Sequence, residues 1–321
     1  MMMVLFQNKI IYMPSVPPFA RKESIKDYKN ACKPVEWRQE IIRSLDGTKI
    51  ALAIGKNQTR MSQRALTVPE DGGLVIVYFQ GNGSSLPPRL PGLSSVLKHL
   101  DLLEQPVPCT LVALSYRGYW TSSGRASQTG IEKDAAATLA WAQNLQAKDR
   151  FTTQLVLWGQ SIGAGVATTA FANLSTEQKH IARSSTASGT ESGVNAMILE
   201  TPFTSVSNML IAFYPQRWLP YRYLTPFLWS SWDSVKALRT IKQQQTHSLQ
   251  LLLMIASKDE VVPPEEGEQL MKLCDELDFA VTYRAVPGAL HTECLAKAQG
   301  REGIVDFLSQ VYQDGKRTSC L

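Results

Sequence analysis

The chain has 321 residues, 44% apolar and 19% charged, ordinary proportions for a globular protein with a large core. Its net charge of +5 is scattered, with no basic run, which argues against a nucleic-acid partner but leaves room for weak attraction to an anionic membrane surface. No run of about eighteen apolar residues exists to span a bilayer, and the start, Met1 to Phe6, lacks the basic region and small-residue cleavage site of a signal peptide. The five cysteines, Cys32, Cys109, Cys274, Cys294 and Cys320, are odd in number and form no C-x-x-C or Cys/His pair. Free thiols in a reducing, intracellular compartment are expected, cytoplasmic or peripheral on an internal membrane, with no metal site. Cys320 stands next to the end, not fourth from it as prenylation requires.

In chain order, the apolar start through Ile10-Ile11-Tyr12 fits either packing on the domain or shallow membrane contact. Pro14 to Lys22 reads as a Pro-rich extended segment, so residues 1–34 are expected to form an N-terminal arm outside the core. Val35 to Arg43 and Thr48 to Lys56 flank Leu45-Asp46-Gly47, the signal of a β-hairpin at a sheet edge. A polar loop, Asn57 to Gly73, leads to Leu74-Val75-Ile76-Val77-Tyr78-Phe79, continuous and apolar like a strand buried on both faces. Helical spacing covers Leu93 to Leu103, and Cys109 to Leu114 reads as strand. Gln128 to Gln146 is a helix with Ile131, Ala135, Leu139 and Ala142 on one side. Leu155 to Trp158, Asn195 to Leu199, Leu249 to Ile255 and Ala280 to Val286 read as further strands. Helices are expected at Glu265 to Leu277 and Gly303 to Val311. Arg183 to Gly193, rich in Ser, Thr and Gly, reads as a surface insertion. The alternation predicts an α/β fold, a mostly parallel central sheet with helices on both faces.

Directly after Leu155-Val156-Leu157-Trp158 stands Gly159-Gln160-Ser161-Ile162-Gly163. A strand that turns sharply into a helix with serine at its apex needs small residues on both sides, and Ala164 to Ala170 is small enough for a helix packed close to a sheet. A serine hydroxyl needs a base. Of the four histidines, His99, His180 and His247 fall in helix or linker patterns that suit a structural role. His291 lies in Val286-Pro287-Gly288-Ala289-Leu290-His291, just after the last strand, on the rim where parallel sheets present ligands. An acid must orient that base. Asp259, in the loop after Leu249 to Ile255, is favoured; Glu260 beside it and Glu200 at the end of Asn195 to Leu199 are the competitors. Two backbone N–H groups must await the developing oxyanion. Ile162, at a helix N-terminus, supplies one. Asn82, in the Gln80-Gly81-Asn82-Gly83-Ser84 loop after Phe79, supplies the other.

Together these segments resemble the α/β-hydrolase superfamily, and within it the eukaryotic serine hydrolases similar to the fungal bud-emergence-suppressor protein. The resemblance spans residues 35–312. It is carried also by Ser115-Tyr116-Arg117-Gly118-Tyr119, Gly130 to Ala135, Glu200-Thr201-Pro202-Phe203-Thr204-Ser205 and Lys258 to Pro263. It implies Ser161, Asp259 and His291 as nucleophile, acid and base, with Asn82 and Ile162 as oxyanion donors. Where the family commonly has His-Gly-Asn, this chain has Gln80-Gly81-Asn82; the donor there is a backbone amide, so the role survives. Members often carry an N-terminal membrane anchor, for which the sequence shows no suitable stretch.

Between residues 203 and 232, where such folds insert a lid, Phe203, Phe213, Trp218 and Phe227 are the candidate substrate-binding residues among several further aromatics. An apolar, aromatic lid suits an acyl chain, and Trp and Tyr suit a membrane interface. Residues 313–321 read as a tail. The expected activity is cofactor-free hydrolysis of a carboxylic ester or thioester of a hydrophobic acyl substrate through an acyl-enzyme. The alternatives are a catalytically silent membrane-associated scaffold, which loss of a triad member would have favoured, or a serine peptidase.

Overall fold

The computed structural model describes residues 7–57, 72–148, 153–184, 193–213, 225–244 and 248–319. Eight strands form one sheet: β1 Glu36–Arg43, β2 Lys49–Lys56, β3 Leu74–Phe79, β4 Cys109–Ser115, β5 Gln154–Gln160, β6 Val194–Glu200, β7 Gln250–Ala256 and β8 Ala280–Val286. Their spatial order is β1-β2-β4-β3-β5-β6-β7-β8. The β1–β2 hairpin is antiparallel and joins β4 antiparallel, and every other pairing is parallel. The predicted hairpin, at the predicted edge, is therefore present.

The central strands are apolar through their middles, with polar residues near their ends, because both faces are covered. Val75, Val77 and Phe79 of β3 join Leu155 and Leu157 of β5 in one apolar cluster. The intervening Leu74, Ile76 and Tyr78, with Val156 and Trp158, belong to a second cluster on the opposite face. This is the period-two alternation of a strand read on two buried sides. Helices α1 Gln7–Ile11, α2 Lys29–Cys32, α3 Leu90–Leu102, α4 Gln128–Lys148, α5 Ile162–Ser184, α6 Val206–Phe213, α7 Ser234–Gln244, α8 Pro264–Glu276 and α9 Ala298–Ser319 complete the fold. Ile131, Ala135, Leu139 and Ala142 of α4 face the first cluster as their spacing predicts, and α3 and α9 cover the second.

Two expectations change. The N-terminal arm is not wholly outside the core: Tyr12 is 2% exposed. A buried tyrosine needs a partner for its hydroxyl, and here Trp232 Nε1 donates to it (2.7 Å) while it donates to Ser230 Oγ (3.1 Å). The final helix extends through most of the expected tail, to Ser319. Of residues 203–232, the expected lid, α6 and a 3-10 turn at 225–227 are described, while residues 214–224, with Trp218, lie outside the described residues. So do Met1 to Phe6, 58–71 of the polar loop, 185–192 of the Ser/Thr/Gly-rich stretch, His247 and Cys320.

Register decides where loops emerge. Phe79 pairs with Gly159, Gln160 with Glu200, Glu200 with Met254 and Ala256 with Val286. The C-terminal ends of β3, β5, β6, β7 and β8 thus open onto one rim, and every predicted catalytic segment leaves from it.

Candidate active site

Ser161 sits between the end of β5 and the start of α5 with φ 54°, in the left-handed region that a non-glycine residue enters only when its surroundings enforce it. The flanking glycines permit this by close approach. A Cβ on Gly159 would stand 2.2 Å from the Gly163 carbonyl oxygen, and one on Gly163 would stand 2.1 Å from that of Phe79. The serine N–H donates to the Glu200 carbonyl (2.8 Å), fixing the turn to β6.

His291 Nε2 lies 2.8 Å from Ser161 Oγ. On the other side of the ring, Nδ1 stands 2.8 Å and 3.0 Å from the two carboxylate oxygens of Asp259. An ionised carboxylate only accepts, so Nδ1 carries the proton and Nε2 is free to accept from the serine hydroxyl. Asp259 Oδ1 also accepts from the amides of Val261 (2.9 Å) and Val262 (2.7 Å), which hold the carboxylate in place. The His291 and Asp259 side chains are 8% and 2% exposed, a setting in which such bonds are weakly screened. The two loops are tied together by Lys258 N–H to Ala289 O (2.9 Å) and Gly288 N–H to Ser257 Oγ (2.8 Å).

The competing acids have other partners. Glu260 accepts from the His291 backbone N–H (2.9 Å). Glu200 is fully buried and accepts from Trp158 Nε1 and Gln160 Nε2, each at 3.0 Å. Burial pushes its carboxyl above the ordinary value of 4.5, against the opposing pull of Gln160, Trp158, Arg89 and His291. It braces the nucleophile turn from beneath.

The loop after β3 reaches the same place. A Cβ on Gly81 would stand 3.6 Å from the Cβ of Ser161. The Asn82 side chain is a hub: Oδ1 accepts from Gly83 N–H (2.8 Å), Tyr119 Oη–H (3.0 Å) and Met13 N–H (3.3 Å), and Nδ2 donates to Ile11 O (2.5 Å). Among the described residues the backbone N–H groups of Asn82 and Ile162 have no protein acceptor. Tyr116 Oη–H donates to the Gln80 carbonyl (2.8 Å), giving the tyrosines of the Ser115 to Tyr119 motif a place beside this loop. Sequence reasoning missed Arg89, which contacts the loop and the nucleophile turn together; the only signal was a cation beside Pro87-Pro88 at the head of an apolar helix.

Phe203 is buried in the first apolar cluster along with Ile162 and Val262, and Phe227 is 59% exposed. The Phe213 side chain and Trp218 lie outside the described residues. His99 sits on α3 with Nδ1 2.7 Å from the Ser95 carbonyl, a structural contact. The four described cysteines are free, buried and pushed up in pKa chiefly by that burial, which disfavours thiolate chemistry. Among the described residues no group of three or more His, Cys, Asp or Glu could hold a metal ion, and no helix is long and apolar enough to cross a membrane.

No protein-family model matches the chain. It is 26% identical over 302 residues, covering 91% of this chain and 83% of the relative, to the Alpha/beta hydrolase domain-containing protein WAV2 of Arabidopsis thaliana. It is 23% identical to Protein bem46 of Schizosaccharomyces pombe, covering 95% and 86%. It is 31% identical over 205 residues to Lysophosphatidylserine lipase ABHD12 of Danio rerio, covering 62% of this chain and 47% of that one. In fold it is similar to an alpha-beta hydrolase from Vibrio vulnificus, with a TM-score of 0.66 at 15% identity over 96% of this chain and 92% of the other.

Proposed function

Because the chain belongs to the α/β-hydrolase superfamily, in the bem46-like group, we propose that it is a serine hydrolase that cleaves a carboxylic ester or thioester of a hydrophobic acyl substrate. The observation that carries this reading is the unbroken line from Asp259 through His291 to Ser161, with 2.8 Å on each side of the imidazole. In the first half-reaction Ser161 Oγ attacks the acyl carbonyl while His291 Nε2 takes its proton. Asp259 holds the ring and stabilises the imidazolium, and the Asn82 and Ile162 amides receive the oxyanion. His291 then protonates the leaving alcohol or thiol. Water, deprotonated by the same nitrogen, releases the acid in the second half-reaction.

The name of the Danio rerio relative supports a lipid ester as substrate, and the acyl half of a thioester would fit the same chemistry. The exposed apolar residues Ile10, Val16 and Phe19 on the arm and Phe227 and Trp229 beside it support access from a membrane surface. Gln7 ties arm to neighbour, donating to Phe227 O (3.1 Å) and accepting from Trp229 N–H (2.6 Å). The test is a panel of p-nitrophenyl esters of rising chain length, a lysophospholipid and an S-palmitoyl peptide, with and without anionic vesicles. Turnover lost in Ser161→Ala is the expected result. A folded wild type that turns over none of them would sink the reading.

A further inference from the structure

Arg89 ends the 3-10 turn Pro87–Arg89 that opens α3. Its Nη2 donates to three consecutive carbonyl oxygens, those of Gly81 (3.3 Å), Asn82 (3.3 Å) and Gly83 (3.4 Å). Its Nη1 donates to Oε1 of Gln160, the residue before Ser161. Tyr78 Oη–H donates to that same oxygen (3.2 Å), while Gln160 Nε2 donates to Glu200. One guanidinium therefore joins the loop after β3 to the nucleophile turn, and its partners are neutral oxygens rather than carboxylates.

The consequence follows from peptide geometry. The Gly81 carbonyl and the Asn82 N–H belong to one trans peptide plane, in which C=O and N–H point in opposite directions. Holding the Gly81 oxygen on Arg89 turns the Asn82 N–H away from Arg89. The next two amides are already engaged, Gly83 N–H with Asn82 Oδ1 (2.8 Å) and Ser84 N–H with Val16 O (2.5 Å). Of the three amides 82–84, that of Asn82 is the one left for a substrate.

We propose that Arg89 is a positioning residue for the oxyanion hole: it aims the Asn82 amide by gripping the opposite end of its peptide, and locks that aim to the nucleophile through Gln160. This rests on the serine-hydrolase reading. An oxyanion donor acts mainly on the transition state, so misaiming it lowers kcat far more than it raises KM. Lysine at this position keeps the charge but cannot bridge Gln160 and three carbonyls with a planar fork.

The test compares wild type, Arg89→Met and Arg89→Lys with p-nitrophenyl butyrate, alongside the affinity for an alkyl trifluoromethyl ketone, whose hemiketal places an oxyanion in the site, and the thermal midpoint. In both variants kcat should fall on the order of 100-fold with KM little changed, and ketone affinity should fall by a similar factor. Arg89→Lys retains the cation, so it supplies the readout if Arg89→Met fails to fold. Wild-type kcat in either folded variant overturns the proposal. So does a loss of thermal stability with kcat and ketone affinity retained, which would make Arg89 purely structural. A folded wild type that neither hydrolyses the ester nor binds the ketone overturns the hydrolase reading and this inference with it.

Discussion

Two arginines organise two regions of this molecule, and their partners differ in kind. Arg117 is 8% exposed and faces carboxylates: Nη2 donates to Asp134 (2.7 Å), Nη1 to Asp46 (2.8 Å), and Ser44 takes a further bond (3.1 Å). Gly130 makes room for it, since a Cβ there would stand 2.5 Å from Arg117 Cδ. This cluster pins the loop after β4 to α4 and to the hairpin turn. Arg89 grips neutral carbonyls, and among the described residues it makes no ion pair. A cation matched by anions is a fastening. One matched by peptide oxygens sets the direction of peptides, and here those peptides border the nucleophile.

The contrast sets an order of expected effects. Asp259→Asn should leave the fold intact and lower kcat by about 10³- to 10⁴-fold, because the imidazole loses its orienting acceptor. Kinetics with circular dichroism on the same sample check both halves. Asp134→Asn should do the reverse: it strips a buried carboxylate from Arg117, costs about 3–5 kcal/mol of stability, and leaves kcat of the remaining folded enzyme near wild type. Denaturant titration beside an ester assay would show whether the two regions separate in this way.

Tyr12→Phe belongs to the stability class too, although it lies near the site. It removes the acceptor of Trp232 Nε1–H in a buried position, for about 1–3 kcal/mol. Burial already holds the Tyr12 hydroxyl at a pKa of about 12, so it acts as a neutral partner at ordinary pH.

The smallest effects are in pH dependence, and their signs are opposite. Arg117 and then Thr48 hold the Asp46 carboxyl well below the ordinary carboxylate range. A depressed pKa gives stability that is complete above the unfolded aspartate value, about 4, and fades as the pH falls below it. The gap in thermal midpoint between wild type and Asp46→Asn should therefore narrow in acid. The Glu200 carboxyl is raised by burial, so its favourable contribution is complete below the ordinary value of 4.5 and is lost as pH rises through its folded value. The difference between wild type and Glu200→Gln should shift against wild type as the pH rises from 4.5. Thermal melts across acid to neutral pH read both, and parallel trends would break the comparison.

Much of the site could be read in the sequence because its parts are local. Gly159 to Gly163 needs only its own strand and helix, Asp259 stands a few residues past the apolar run Leu251 to Ala256, and His291 a few residues past the β-branched and aromatic stretch Ala280 to Val286. Leu74–Phe79 and Ala280–Val286 match their predicted bounds for the same reason. What was not legible depends on contacts between distant segments. Tyr12 is core because Ser230 and Trp232 come to it from 218 and 220 positions away. Arg89 acquires its role only when residues 81–83 and 160 meet above the sheet. Helix α7 was missed between the aromatic stretch and a polar linker, though its Ala237, Leu238 and Ile241 are buried at helical spacing.

The most direct measurement is intact-mass analysis after exposure to a fluorophosphonate, on wild type and Ser161→Ala. An activated Ser161 predicts stoichiometric addition of one phosphonyl group to wild type and none to the variant. A folded wild type that stays unmodified, or a variant labelled as fully as wild type, would contradict Ser161 as the nucleophile of this site.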